Sequence, residues 1–235
     1  MGVRSVLLSL VLSAVAFAQL PWERMKPIHR EEAQAIVRNP DFTFETRTQP
    51  MRVKLNTMER LFEHPRLAAA MWRACDFAPR LFAVELPEEG ITIDDSRGLG
   101  GTLTLIYRSY GHRIYHIKGL VKKGRMGNPF DVGAEMVVSY RYWDAPDGFR
   151  SYLQTWTSLD SAMLSVVSRP FRSYIRKRQQ EFIEYINFNM AQGGEFAQRH
   201  PYEFREPLKR EGDAAALRQF DQVFSQTVGG GRQRR

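Results

Sequence analysis

Cysteine is nearly missing from this sequence: among 235 residues, Cys75 stands alone. One thiol closes no disulfide within the chain and excludes a cysteine metal cluster, so the fold must be held by its apolar core. Cys75 sits between Ala74 and Asp76 on an apolar helical segment, the setting of a buried thiol rather than a reactive one. Long apolar runs are scarce too. After residue 18 no stretch is apolar enough to span a bilayer. No serine lies in a Gly-x-Ser-x-Gly elbow, and the glycines at 98, 100 and 101 do not open a helix, which argues against a dinucleotide or phosphate loop. Asp94-Asp95 at a turn reads as a solvated pair. Acidic residues are outnumbered, 26 against 34 basic ones, for a net charge of +8.

What is present begins with an apolar leader. Arg4 precedes an uninterrupted Val/Leu/Ala/Ser stretch over residues 5–16, and Ala16-Phe17-Ala18 follows with small residues at the two positions a signal peptidase reads. Residues 1–18 are therefore expected to be a cleavable signal peptide cut before Gln19, which makes the expected location periplasmic or secreted. That compartment argues against nucleic acid as the partner of the positive charge. An anionic membrane surface or an acidic partner surface suits a basic exported protein better, the alternative being charge that only keeps the chain soluble. The basic residues concentrate at 169–178 and at 232–235.

The hydrophobic pattern then divides the chain. Residues 22–37 read as an amphipathic helix closed by Asn39-Pro40. Residues 42–48 alternate as a strand. Two helices, 51–63 and 66–77, are separated by Pro65. Six strands follow at 80–85, 90–94, 101–109, 113–122, 133–143 and 149–159, with short turns between them that imply an antiparallel meander. From Arg169 to Met190 an apolar stripe of Phe171, Tyr174, Ile175, Phe182, Ile183 and Ile186 marks one long helix, with Pro170 in its first turn and Gly193-Gly194 as the expected stop. Residues 202–211 read as a polar connection, 214–224 as a short helix, and 229–231 as the start of a basic disordered tail. Domain boundaries follow as 19–40 for an N-terminal helical extension, 41–192 for the main domain and 193–235 for a C-terminal extension.

A strand, two short helices, a long antiparallel meander and one long C-terminal helix: this order resembles the helix-grip fold of the START and polyketide-cyclase-like superfamily. The resemblance covers residues 42–190 and rests on the order of elements, not on a motif. It implies an α+β fold in which a curved antiparallel sheet of about six to seven strands wraps the last helix. It also implies an apolar cavity between sheet and helix, and a function in binding or carrying lipid-like molecules. Some members are cyclases or hydrolases.

The strands carry bulky residues on both faces, which suits a sheet with one side lining a pocket. The expected ligand-binding residues are Tyr107, His116, Tyr140, Arg141, Trp156, Phe171, Ile175 and Phe182. Arg141, mid-strand between Tyr140 and Tyr142, either faces solvent, holds an acidic ligand group or pairs with a carboxylate such as Glu135. His112 and His116, four residues apart on a strand, lie roughly 13 Å from one another and cannot share a tetrahedral metal. No metal and no cofactor is expected. Two other readings remain open: an enzyme on the same scaffold using His116, Arg141 or Asp95, and a filled-core interaction protein of the cell envelope.

Overall fold

The structure, a computed structural model, describes residues 20–48, 50–78, 80–86, 90–94, 99–121, 132–159 and 169–229. The side chains at 99, 120, 121, 132, 169–176, 178, 179, 182 and 225–229 are outside that description. So are the expected signal peptide, Asp95 and the basic tail.

A single 3-10 turn, Trp22–Arg24, leads into helix α1, Pro27–Arg38. Pro27 occupies the first turn, where its missing N–H is harmless, and Ala33, Ile36 and Val37 fall on one buried face. Strand β1 is Phe42–Arg47. Helices α2, Leu55–Glu63, and α3, Pro65–Ala74, meet at His64, and Pro65 both ends the first and starts the second. The periodicity suggested a helix from Met51, but Met51 to Lys54 is not helical: Met51 bridges to Phe149 and extends the sheet.

Strands β2 (Phe82–Leu86), β3 (Gly90–Asp94), β4 (Leu99–Ser109), β5 (His112–Val121), β6 (Val132–Ala145) and β7 (Gly148–Leu159) form the meander. β1 adds to β7, so the seven-stranded curved antiparallel sheet runs β1-β7-β6-β5-β4-β3-β2. The turn into β7 depends on Gly148. Its φ is +128°, and a Cβ there would meet the Met51 carbonyl oxygen at 2.5 Å.

The long helix α4 is Arg169–Arg199, and it does not stop at Gly193-Gly194. These glycines are contact points rather than caps. A Cβ on Gly194 would meet Met58 Sδ at 3.2 Å and Leu61 and Val53 at 3.4 Å, so their bareness lets α4 lie directly on α2. Residues 202–211 are also helical: α5 is Pro201–Arg210, burying only Phe204 and Leu208 among eight other residues, too thin a stripe to read from sequence. Helix α6, Ala214–Gly229, is the last described element.

The sheet is covered on both sides. On its inner face Tyr140, Tyr142 and Phe149 join α2, α3, α4, α5 and α6 in one core that includes Met58, Leu67, Phe204, Phe220 and Phe224. On its outer face Ile106, Tyr107, Ile114, Val137 and Trp156 pack against Leu20, Trp22, Met25, Ala33, Ile36 and Val37. The C-terminal helices are tied to α3 by ion pairs, Arg66 to Asp213 at 2.9 Å and Arg73 to Glu211 at 2.8 Å. Asp213 also accepts from the backbone N–H groups of Ala215 and Ala216, capping α6.

Phe220 is buried and stacks on Phe204 and Phe224. Phe220→Ala is expected to lower stability by about 3–5 kcal/mol, the usual cost of deleting a buried Phe ring. Chemical denaturation checks it; an unchanged midpoint would mean the C-terminal helices lie outside the cooperative core.

Candidate functional site

Cross-strand register sorts the expected ligand-binding residues onto opposite faces, which is the main correction to the sequence reading. Tyr140 alone among those described faces inward. Tyr107, His116, Arg141 and Trp156 face outward. Val137 pairs with both His116 and Trp156, and Arg141 pairs with His112 and Tyr152. The side chains of Phe171, Ile175 and Phe182 are outside the described residues. Period-2 alternation gave each strand its two faces, but not which face met which helix.

Trp156 is 2% exposed and lies in the core beneath α1, so it lines no inner cavity. Tyr107 is placed outward by a β-bulge between Leu105 and Tyr107, which turns both Ile106 and Tyr107 to the same side. His116 is buried between two carboxylates, Nε2 3.0 Å from Glu135 and Nδ1 3.5 Å from Glu32 of α1. Lys118 reaches the same Glu32 at 3.2 Å. His116 is thus a clamp between α1 and the sheet. Glu135 and Arg141 stand six residues apart on one strand, roughly 20 Å, and do not pair.

The inner face divides into a sealed half and a half-open one. In the sealed half the Tyr140 hydroxyl donates to Asn187 Oδ1 of α4 at 2.9 Å, and Ser151 Oγ donates to the same oxygen at 3.2 Å. Burial pushes the Tyr140 hydroxyl well above the ordinary tyrosine range. Arg113, 1% exposed, donates to Glu59 Oε2 at 2.7 Å and to the Tyr142 hydroxyl at 3.0 Å. Glu59 Oε1 also accepts from the Gly111 N–H in the β4–β5 turn at 2.8 Å. Phe62 packs on Tyr140 and Tyr142 with ring centroids 5.3 and 5.1 Å apart. The void left beside α4, lined by Leu61, Met71, Trp72 and Gly194, holds about 10 Å³, room for one water.

The half-open part lies farther along the same strands. One cross-strand row is Ile91, Leu103, Ile117, Met136, Thr157 and Phe42; the next is Leu105, Tyr115, Val138, Thr155 and Phe44. Leu103, Leu105, Tyr115, Ile117, Met136 and Val138 are each only partly buried, although they sit on central strands. At the β7 end of these rows Thr155 is fully buried, and its Oγ1 has no hydrogen-bond partner among the described residues. The result is a partly exposed apolar surface on the inner face, with the buried Thr155 hydroxyl at its side. Neither row was singled out from the sequence. The signal that could have found them was the pairing of Ile117 with Leu103 on one side and Met136 on the other, visible only once the hairpins were in register.

Among the described residues no group of His, Cys, Asp and Glu is arranged to hold a metal. His112 Nε2 lies 2.9 Å from Ser139 Oγ on the outer face, the spacing of a base and a nucleophile. Ser139 is buried, however, so a substrate carbonyl cannot reach it. Burial, then the neighbouring Arg141 charge, lower the His112 pKa to about 4. Cys75, expected to be buried, is half-buried, and that burial raises its thiol to about 11, which keeps it protonated and unreactive.

No protein-family profile and no curated protein matches the chain. Several solved structures resemble it in shape, among them these three. One is a conserved protein from Geobacillus kaustophilus, with TM-score 0.44 and 7% identity over 64% of this chain and 96% of its own. The second, from Mesorhizobium loti, has TM-score 0.36 and 12% identity over 65% and 96%. The third, an uncharacterized protein from Rhizobium leguminosarum, has TM-score 0.37 and 14% identity over 62% and 94%. At these values none bears on what this chain does.

Two outcomes follow from the buried charges. Glu59→Ala leaves the Arg113 guanidinium buried without its carboxylate and is expected to cost about 3–5 kcal/mol in denaturant unfolding. Arg113→Met combined with Glu59→Leu is expected to cost clearly less, because no charge is then stranded. For His112 the folded pKa of about 4 lies below the ordinary 6.5, so between those values the unfolded chain binds a proton that the folded one refuses. Stability from this group is full above about pH 6.5 and is lost as pH falls toward about 4. His112→Asn should flatten that part of the stability profile relative to the unsubstituted protein. Parallel profiles for the two would show that the imidazole titrates normally.

Proposed function

We propose that this protein is an exported binder of an apolar, lipid-like ligand, held in a trough between β4–β6 and the long helix α4. The observation that carries the reading is the pair of half-open apolar rows. Central-strand aliphatic side chains are normally buried outright, and here Leu103, Leu105, Ile117, Met136 and Val138 keep part of their surface free. A ligand chain laid along them would remove that surface from water, at roughly 25 cal/mol per Å². The Thr155 hydroxyl, without a partner among the described residues, would offer a hydrogen bond to a polar group of the same ligand.

The order of elements supports the helix-grip reading: one strand, two short helices, a six-stranded meander and a long helix, with β1 returning to pair with β7. In the proposed arrangement the sealed Arg113–Glu59–Tyr142 cluster forms the closed end of the trough. Its members are already paired with one another, so it acts as a wall rather than as a catalytic group. The binding reading therefore ranks above an enzyme. The leader at residues 1–18 is the basis for placing this function outside the cytoplasm.

Organic extraction of the purified protein followed by mass spectrometry is expected to recover lipid, and fatty acid is expected to displace 1-anilinonaphthalene-8-sulfonate from it. Val138→Glu should weaken dye binding at least tenfold while the unfolding transition stays cooperative, and Trp156→Phe, on the outer face, should leave it unchanged. Thr155→Val should reduce affinity for a fatty acid without destabilising the empty protein. A folded protein that yields no lipid and binds no dye would instead be a filled-core interaction protein.

A further inference from the structure

The outer face carries a second feature that the trough does not use. One cross-strand row runs Ser109, His112, Arg141, Tyr152 and Arg47, so two arginines stand on either side of one tyrosine, each about 4.8 Å away at the backbone. The Arg47 guanidinium lies over the Tyr152 ring at 5.3 Å. A third arginine, Arg24, lies over Tyr107 at 5.4 Å, and Tyr107 in turn meets the His112 ring edge at 5.3 Å. The aromatic rings hold the two outer guanidiniums against the sheet, with their charge still facing solvent. Glu45, which accepts from the Tyr152 hydroxyl, is a carboxylate drawn into this row.

Just past the row, at the tips of the neighbouring hairpins, two large aromatic side chains stand out in solvent. Trp143 is 42% exposed and Tyr110 is 74% exposed. Tyr142 N–H donates to the Gly111 carbonyl at 2.9 Å, which sets the two tips side by side. An exposed Trp and Tyr beyond a row of arginines is the side-chain arrangement that settles at a membrane–water interface. The rings enter the head-group layer, and the guanidiniums meet phosphate.

We infer that the row Arg47–Tyr152–Arg141, with Arg24 beside it and Trp143 and Tyr110 at its end, docks this protein on the phosphate head groups of an anionic lipid surface. Two surfaces of one sheet would then divide the work. The outer face holds the protein at the membrane, and the inner face is left free. The inference stands without the trough, because no residue is shared between them. The positive charge of the row comes from its arginines, and the imidazole beside Arg141 adds none at neutral pH. At an anionic surface each arginine contributes about 1 kcal/mol, roughly a fivefold change in partition.

The test is flotation of the purified protein with phosphatidylglycerol-containing vesicles and with pure phosphatidylcholine vesicles, alongside titration with inorganic phosphate. Binding to the anionic vesicles alone is expected, and 0.5 M NaCl should reverse it. Arg47→Gln should lower the partition about fivefold and Arg47→Gln with Arg141→Gln more than tenfold. Arg205→Gln, a basic residue paired with Asp221 on the C-terminal helices, should change nothing. The other three tryptophans, Trp22, Trp72 and Trp156, are buried, so a lipid-borne quencher should dim chiefly Trp143, and Trp143→Phe should remove most of that quenching. Arg47 is exposed and its replacement is compatible with folding, so the test survives if the double variant unfolds. Vesicle binding indifferent to Arg47→Gln would overturn the assignment. So would saturable binding of inorganic phosphate without vesicle binding, which would make the row a free-phosphate site.

Discussion

Val137 and Tyr140 are three residues apart on one strand, and each is buried in a different core. That geometry governs the protein. Strands β5, β6 and β7 carry large apolar side chains on both faces, so neither face of the sheet can be left to water. The C-terminal helices and α2–α3 cover one side. The segment from Leu20 to Val37 covers the other. An N-terminal helix that looks like an appendage in the sequence is therefore a structural lid for the outer face, pinned by the His116 clamp through Glu32.

The two covers are unequal in completeness. Over Tyr140, Tyr142 and Phe149 the inner face is packed by α2, α3 and the C-terminal helices, and the buried polar groups there are hydrogen-bonded to one another. Over Leu103, Ile117 and Met136 the packing is incomplete, and Thr155 lacks a partner among the described residues. A protein that needed only stability would gain from closing that region too. The contrast within one face, rather than any single residue, is what favours a binding role.

Charge is distributed with equal selectivity. Arg66, Arg73 and Arg113 serve the architecture: each meets a carboxylate and joins one helix to another or to the sheet. Arg24 and Arg47 are placed over tyrosine rings on the outer face. The net charge of +8 is thus neither uniform solubilising charge nor a single basic patch.

Local patterning alone settled much of this. Strand patterning and turn residues located the seven strands of the described residues to within a few residues, Pro65 separated two helices, Pro170 fell in the first turn of a third, and a single cysteine left no disulfide to support the core. Three things were beyond its reach. Gly193-Gly194 reads as a stop by composition, yet the helix continues because bare Cα atoms are what allow α4 to touch Met58 and Leu61. Helix α5 rests on two buried anchors, Phe204 and Leu208, too few to give a period. The faces of Trp156 and Arg141 were set by which helix covers which side. Alternation tells a strand that it has two faces; only the tertiary structure assigns them, because the partner for a face can come from a segment more than a hundred residues away.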